Sequence, residues 1–432
     1  NKKSFIEKIN IYVKLIDTVA KYLNLKINKK NDHVNSDTLK RLNELNFLDF
    51  KSRNNIKLLT DVLKDDLYRQ LIIAINFNIK YKKNIGSLLD KLDPIKRKII
   101  SKKAKNKKKY RVVDLFCGAG GFSYGFKQEN FIIDLANDND EHCIETYRFN
   151  HPEVSEKKIL LKDIRKVINN LDKLLSSQVD VVVGGPPCQG FSYVNQQRII
   201  NDPRNKLYKY FIQAIKKIKP KIVVMENVKG MYPFANQVKQ DIENIHLGNG
   251  KNTISYDVSY EVLVSDQFGV AQKRPRLIFI GVRKDISDKN KTSAKHIFNQ
   301  IKLNAAKTKK HVLKDALSYI RPLKSPRIKN TTETDDETTG KKIDLNPFKG
   351  HENSYLKLIN HNRKIDFVFN HKARYASDVN YQIFSTLNQG EDGTNEKIQH
   401  VMPYKHRNHI FKDKYFRLDE TKPSRTITAH LR

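Results

Sequence analysis

Apolar and polar positions follow two different periods along this chain, and the change falls near residue 110. Before it, apolar residues recur at helical spacing: Phe5, Ile6, Ile9, Tyr12 and Val13 share one face, as do Leu58, Leu59, Val62 and Leu63. Asp61 and Asp65-Asp66 alternate with basic residues along the second stretch, as on a solvated helix face. From Tyr110 the pattern becomes short apolar runs bounded by polar turns. These are RVVDLF (111–116), FIIDLA (131–136), VDVVVG (179–184), KIVVME (221–226) and RLIFIG (276–281). Helical patterns such as Leu207–Ile218 lie between them. Alternation of this kind predicts an α/β fold, a mostly parallel sheet with helices on both faces. Periodicity fades beyond Lys284. The segment TTETDDETTG (331–340) is polar and of low complexity, which predicts a mobile loop.

The pattern divides the chain into a helical extension (1–95), a basic linker (96–109), an α/β core (110–284), an irregular region (285–415) and a last segment (416–432). The linker holds nine Lys/Arg and no acid, the composition of a solvated spacer that can also touch phosphates. Over 432 residues, 82 Lys+Arg against 47 Asp+Glu give a formal charge of +35. Such a field draws polyanions, although abundant Lys, Asn and Ile also reflect an AT-rich genome, so charge alone supports nucleic acid only weakly. No apolar run is long enough for a membrane span, and the start has no apolar signal core. Cys117, Cys143 and Cys188 are too few and scattered for a disulfide framework, and no Cys/His spacing suggests a metal site. A reducing cytoplasm is the natural setting.

Two loops carry the chemistry. In DLFCGAGGF (114–122), Gly118, Gly120 and Gly121 let the backbone turn sharply out of a strand and approach a ligand. The spacing is not that of a dinucleotide binder. The next strand ends at NDND (137–140), setting a carboxylate where a ribose diol would lie, and Asp163 begins a third turn from which it could accept an adenine amino group. Three acids at successive strand ends, without an extended phosphate cradle, suit a nucleoside ligand lacking pyrophosphate, and S-adenosylmethionine is one.

The second loop is GGPPCQGFS (184–192). Pro186-Pro187 forbids further helix or ladder pairing, so Cys188 sits on a rigid turn beyond a strand's carboxyl end and reads as a nucleophile. Cys117 reads as cofactor-loop packing and Cys143 as helix packing. Glu226 ends another buried strand, where desolvation helps a carboxyl keep a proton for donation. In QKRPR (272–276), Arg274 and Arg276 flank a proline and suggest a pocket for a polar planar ring.

Together with MENVKG (225–230) and KDI (162–164), these motifs stand in the order of the DNA (cytosine-5) methyltransferase family, which the chain resembles from about Tyr110 to Arg432. The resemblance implies a Rossmann-like core that binds S-adenosylmethionine. It implies that Cys188 adds to carbon 6 of a flipped-out cytosine, that Glu226 protonates or hydrogen-bonds ring nitrogen 3, and that Arg276 with Arg274 holds the base. Cofactor contacts map to Phe116, Gly118, Gly121, Asp138, Asn139, Asp163, Ile164, Pro187 and Leu207. The loop from Gln189 to about Arg204, with Ser192, Arg198 and Arg204, would close over duplex DNA. Residues 285–415 would read the target, with His361, Arg363, His371, Lys372, Arg374, His400, His406 and Arg407 as candidates for base edges or phosphates. No metal is implied. A cognate restriction endonuclease and association with the nucleoid of a prokaryote go with the resemblance.

Two departures temper it. The family's closing Gly-Asn-Ala-Val-Pro-like segment is not found after PSRTITAHLR (423–432), so a fragment with a weakened cofactor pocket is expected. The extension lies outside the family core and, lacking helix-turn-helix spacing, reads as a structural appendage rather than a regulatory DNA-binding module. Two rival readings stand: a tRNA cytosine-5 methyltransferase of the same family, and a non-catalytic DNA-binding regulator that keeps the fold.

Overall fold

A computed structural model describes residues 2–48, 55–86, 110–151, 153–175, 177–187, 207–248, 253–329, 334–360, 367–403 and 414–426. The chain forms two compact units, Asn1–Lys105 and Asn106–Arg432. The predicted basic linker, 96–109, lies outside the described residues.

The first unit contains helices Lys2–Tyr22, Ser36–Glu44, Asn55–Val62 and Asp65–Lys80. Ile9, Val13 and Ile16 on the first meet Leu71, Ile72 and Ile75 on the last in one buried cluster, as helical spacing requires. The single stretch expected around Asp61–Asp66 is broken. One helix ends at Val62, and Asp65 and Asp66 open the next, where their charge suits the helix dipole.

The second unit is built on a seven-stranded sheet of order β3-β2-β1-β4-β5-β8-β6. Its strands are β1 (Arg111–Leu115), β2 (Ile132–Asp138), β3 (Ile159–Leu161), β4 (Val181–Gly184), β5 (Ile222–Val228), β6 (Tyr256–Val264) and β8 (Pro275–Arg283). Short β7 (Gln272–Lys273) lies between β6 and β8 in sequence. The first five sheet members run parallel, and β8 is antiparallel to both β5 and β6. This is the α/β architecture predicted, with helices on both faces. Adjacent residues of β1 serve opposite faces. Val113 packs with Val182, Phe211 and Ile215, while Val112 packs with Val181, Ile144 and Tyr147.

The packing of the sheet continues past Lys284. Phe298, on helix Ala294–Ala306, is buried against Ile280 and Val282, because this helix has an apolar face that β6 and β8 need covered. Farther on, β9 (Gly340–Asp344) pairs antiparallel with β10 (Val368–Lys372). The segment expected to be a mobile loop is, from Thr334 to Gly340, a compact turn into β9. The Asp336 carboxylate accepts from the Thr338 and Thr339 backbone N–H groups at 2.8 and 2.9 Å. Residues 330–333 lie outside the described residues. Last, β11 (Ser424–Arg425) pairs parallel with β7. No helix among the described residues is long and apolar enough to cross a membrane.

Candidate active site

Strand register brings the predicted residues into one row. Leu115 pairs with Asn137 and with Gly184, and Gly184 pairs with Met225. One residue further along each strand stand Asp138, Phe116, Gly185 and Glu226. All four therefore lie along the carboxyl edge of the sheet, the edge at which ligands bind in open α/β folds.

The glycine loop folds over the end of β1. Phe116 has φ +56°, a left-handed conformation that bulky residues rarely adopt and that tends to mark functional turns. The Gly118 N–H donates to Asp138 Oδ2 at 2.9 Å, joining the loop to the end of β2. Above Gly118 and Gly121 there is open space, whereas a side chain on Gly120 would start 2.3 Å from His151 Nε2. The loop is therefore open towards a ligand and closed towards the protein.

Beneath it lies a buried polar network that sequence reasoning missed. Asp114 Oδ2 accepts from the Ser123 hydroxyl at 2.7 Å and the Ser123 N–H at 3.2 Å, and Ser123 Oγ lies 2.6 Å from Tyr147 Oη. Asp114 Oδ1 has no hydrogen-bond partner among the described residues. Burial pushes the Asp114 carboxyl up to about 7, against the opposing pull of Ser123. The Cys117 thiol, also buried, is pushed far up by desolvation and then by Asp114 and Asp138. Desolvation, with Asp138 and Asp140, likewise raises Cys143.

Asn139 and Asp163 line one cleft of about 520 Å³ with Leu161, Lys162, Lys166 and Asn169. The buried Asn137 amide donates to Leu160 O at 3.0 Å and to Lys162 O at 2.7 Å, joining β2 to the segment that follows β3. Asp163 caps helix Ile164–Asn169 and pairs with Arg165 through two 2.8 Å bonds, which hold its carboxyl down at about 2. Ile164 is buried in the core, Leu207 is half-buried against the same core, and Pro187 is exposed. The donor set fits a nucleoside. Two carboxylates with Asn139 and an open glycine turn offer acceptors for hydroxyl and amino groups, and the turn holds no basic side chain for a pyrophosphate.

At the other end of the row, the Arg276 Nε–Glu226 Oε1 distance is 2.6 Å. Register explains the pairing. Arg276 faces Val228 on β5, so its side chain reaches back two positions to Glu226. Glu226 Oε2 lies 3.2 Å from where a Gly185 side chain would begin. The Asn227 amide donates to Pro186 O at 3.1 Å, tying the Gly-Gly-Pro-Pro turn to β5. The sequence offered Glu226 as a desolvated acid; it is instead ion-paired and partly exposed. Arg274 is held somewhat below its ordinary value by desolvation and by Arg276. Cys188, Gln189, Ser192, Arg198 and Arg204 lie outside the described residues.

Among the candidates for target reading, His371 and Lys372 are engaged within the fold. His371 Nδ1 is 2.7 Å from buried Asp344, which also pairs with Arg321 at 2.8 Å, and Lys372 Nζ is 3.1 Å from Asp335. His361, Arg363, His406 and Arg407 lie outside the described residues.

Known proteins resemble this half of the chain. It is 38% identical to Type II methyltransferase M.DdeI of Desulfomicrobium norvegicum, over 40% of this chain and 41% of that one. It is 38% identical to Type II methyltransferase M.FnuDI of Fusobacterium nucleatum, over 42% and 49%. Type II methyltransferase M.Sau96I of Staphylococcus aureus is 30% identical over 55% and 53%. The chain thus spans about half the length of the curated relatives it matches. The match to the family of C-5 cytosine-specific DNA methylases runs over residues 110–430, the whole sheet and the regions that follow it, and the chain belongs to that family.

Proposed function

We propose that this protein transfers a methyl group from S-adenosylmethionine to carbon 5 of a cytosine turned out of duplex DNA, through a covalent adduct with Cys188. The observation that carries the reading is the Arg276–Glu226 ion pair set against Gly185, on the turn that leads directly into Cys188. A cytosine ring there meets an acid for ring nitrogen 3 and a guanidinium for its carbonyl. Desolvation raises the Cys117 and Cys143 thiols, which supports Cys188 as the nucleophile.

When bound, S-adenosylmethionine supplies the electrophilic methyl group. Asp138 and Asn139 would hold its ribose, and Asp163 with the Ile164 backbone would hold its adenine. Phe116, Gly118, Gly121, Pro187 and Leu207 would enclose the rest. The Cys188 thiolate adds to carbon 6 while Glu226 holds the proton at nitrogen 3, and carbon 5 becomes an enamine-like nucleophile. After methylation a base removes the carbon 5 proton, and β-elimination returns the free thiol. Carbon 6 cannot be reached within a stacked duplex, so the base is extruded, which costs roughly a few kcal/mol. Gln189, Ser192, Arg198 and Arg204 would close over the DNA. The Type II relatives favour a modification enzyme paired with a cognate nuclease in a prokaryotic cytoplasm.

Methyl transfer from labelled S-adenosylmethionine to unmethylated duplex DNA and to tRNA tests the substrate. Incorporation into DNA at carbon 5 of cytosine is expected, and incorporation into tRNA alone would contradict it.

A further inference from the structure

We infer that Ser265 is a positioning residue that sets Arg274 at the entry to β8, the strand on which Arg276 meets Glu226; this deepens the methyl-transfer reading above. Ser265 follows β6 and lies opposite Arg274, which directly precedes β8, the strand that carries Arg276. In an antiparallel ladder every second facing pair exchanges two backbone hydrogen bonds, and Ser265 with Arg274 holds such a position. Ser265 makes one of them, its N–H donating to Arg274 O at 3.3 Å. Its carbonyl is diverted, accepting instead from the Val270 N–H at 3.3 Å within the turn. That diversion takes the ladder acceptor away from the Arg274 N–H, and the Ser265 hydroxyl replaces it at 2.9 Å. The same hydroxyl donates to Gln272 O.

One side chain therefore clasps the turn from Gln272 to Arg274, with its single proton and a lone pair both used. Two residues on, the Arg276 Nη1 group donates to Pro275 O at 2.8 Å while its Nε faces Glu226 at 2.6 Å. Arg276 lies within β8, paired with Val228 of β5 and Leu263 of β6, so the clasp acts on the turn that leads into this strand and on Arg274. Lys273 is held from the other side, where the Thr426 hydroxyl donates to its carbonyl at 3.0 Å. The turn is thus bracketed by two hydroxyls, but Ser265 alone touches the residue that carries a guanidinium.

The test compares Ser265→Ala and Ser265→Thr in the whole chain, using tritiated S-adenosylmethionine and unmethylated duplex DNA. Ser265→Ala should lower kcat about tenfold, the effect expected of losing one positioning hydrogen bond. Its dissociation constant for S-adenosylmethionine should stay within about twofold, and Ser265→Thr, which keeps the hydroxyl, should recover most of the rate. Hydrogen exchange at the Arg274 amide should accelerate in Ser265→Ala and return to the parent rate in Ser265→Thr. An unchanged kcat, or a loss that threonine does not relieve, overturns the proposal. If the unaltered protein transfers no methyl group, the methyl-transfer reading fails, and the clasp is judged by the Arg274 amide; unchanged exchange there overturns it too.

Discussion

At the scale of single residues, the chemistry rests on environment more than on residue type. Three cysteines are equivalent in composition, yet desolvation pushes the Cys117 and Cys143 thiols upward, away from the thiolate that the proposed attack on a ring carbon needs. Cys188→Ser should therefore abolish methyl transfer while leaving the dissociation constant for S-adenosylmethionine within about twofold, and Cys143→Ser should keep turnover. Loss of turnover in Cys143→Ser with retention in Cys188→Ser would contradict this. Asp114 makes a second case. Its carboxyl is raised to about 7, so the folded state holds a proton that the unfolded chain releases near pH 4. That stabilisation is complete below about pH 4 and is lost as pH rises to about 7. Asp114→Asn carries no such titration. In urea unfolding from about pH 4 to 8, its stability relative to the parent should rise with pH and level off near 7; a constant difference would contradict the burial argument. Asp138 was legible in the sequence because a polar residue just past an apolar run marks a strand's end. The Ser123–Tyr147 contact was not, since it joins two helices whose polar residues have no sequence signature.

At the scale of elements, register does the assembling. Five apolar runs were legible as strands because each is buried on both faces, and helix Leu207–Ile218 because its apolar stripe has a helical period. β3 was legible only through Asp163, the acid that follows it, since three residues are too few to show a period. β6 was not legible: its run YDVSYEVLV mixes polar residues along a strand at the sheet edge, where one side is partly wetted. The antiparallel sense of β8 was equally hidden, yet it matters most for the site. Only a strand entering from the sheet's carboxyl edge can set Arg276 beside the end of β5. Helix Ala294–Ala306 keeps that strand in place through Phe298, which is fully buried. Phe298→Ala should cost about 3–5 kcal/mol, read as a lower denaturant midpoint at unchanged slope. A loss below about 1 kcal/mol would mean that this helix does not anchor β8.

At the scale of the whole molecule, the chain carries a formal charge of +35, which favours a polyanionic partner such as the DNA proposed above. The family and its α/β sheet were legible from motif order because glycine turns, strand-end acids and Pro-Pro-Cys each answer a local geometric demand. The Arg276–Glu226 pairing was not, since it depends on register between strands fifty residues apart in sequence, and the Ser265 clasp was not, since a lone serine before a turn carries no sequence signature. What unites the scales is the proposal that Cys188, next in sequence after the Gly184–Pro187 turn, supplies the attacking thiol. The most direct measurement is trapping on duplex DNA that carries 5-fluorocytosine, with S-adenosylmethionine present, followed by peptide mapping of the adduct. Fluorine cannot leave as the proton does, so β-elimination stalls and the bond from sulfur to carbon 6 persists. The account predicts a denaturation-resistant complex whose modified peptide contains Cys188. An adduct on Cys117 or Cys143, or no adduct from protein that methylates ordinary cytosine, would contradict it.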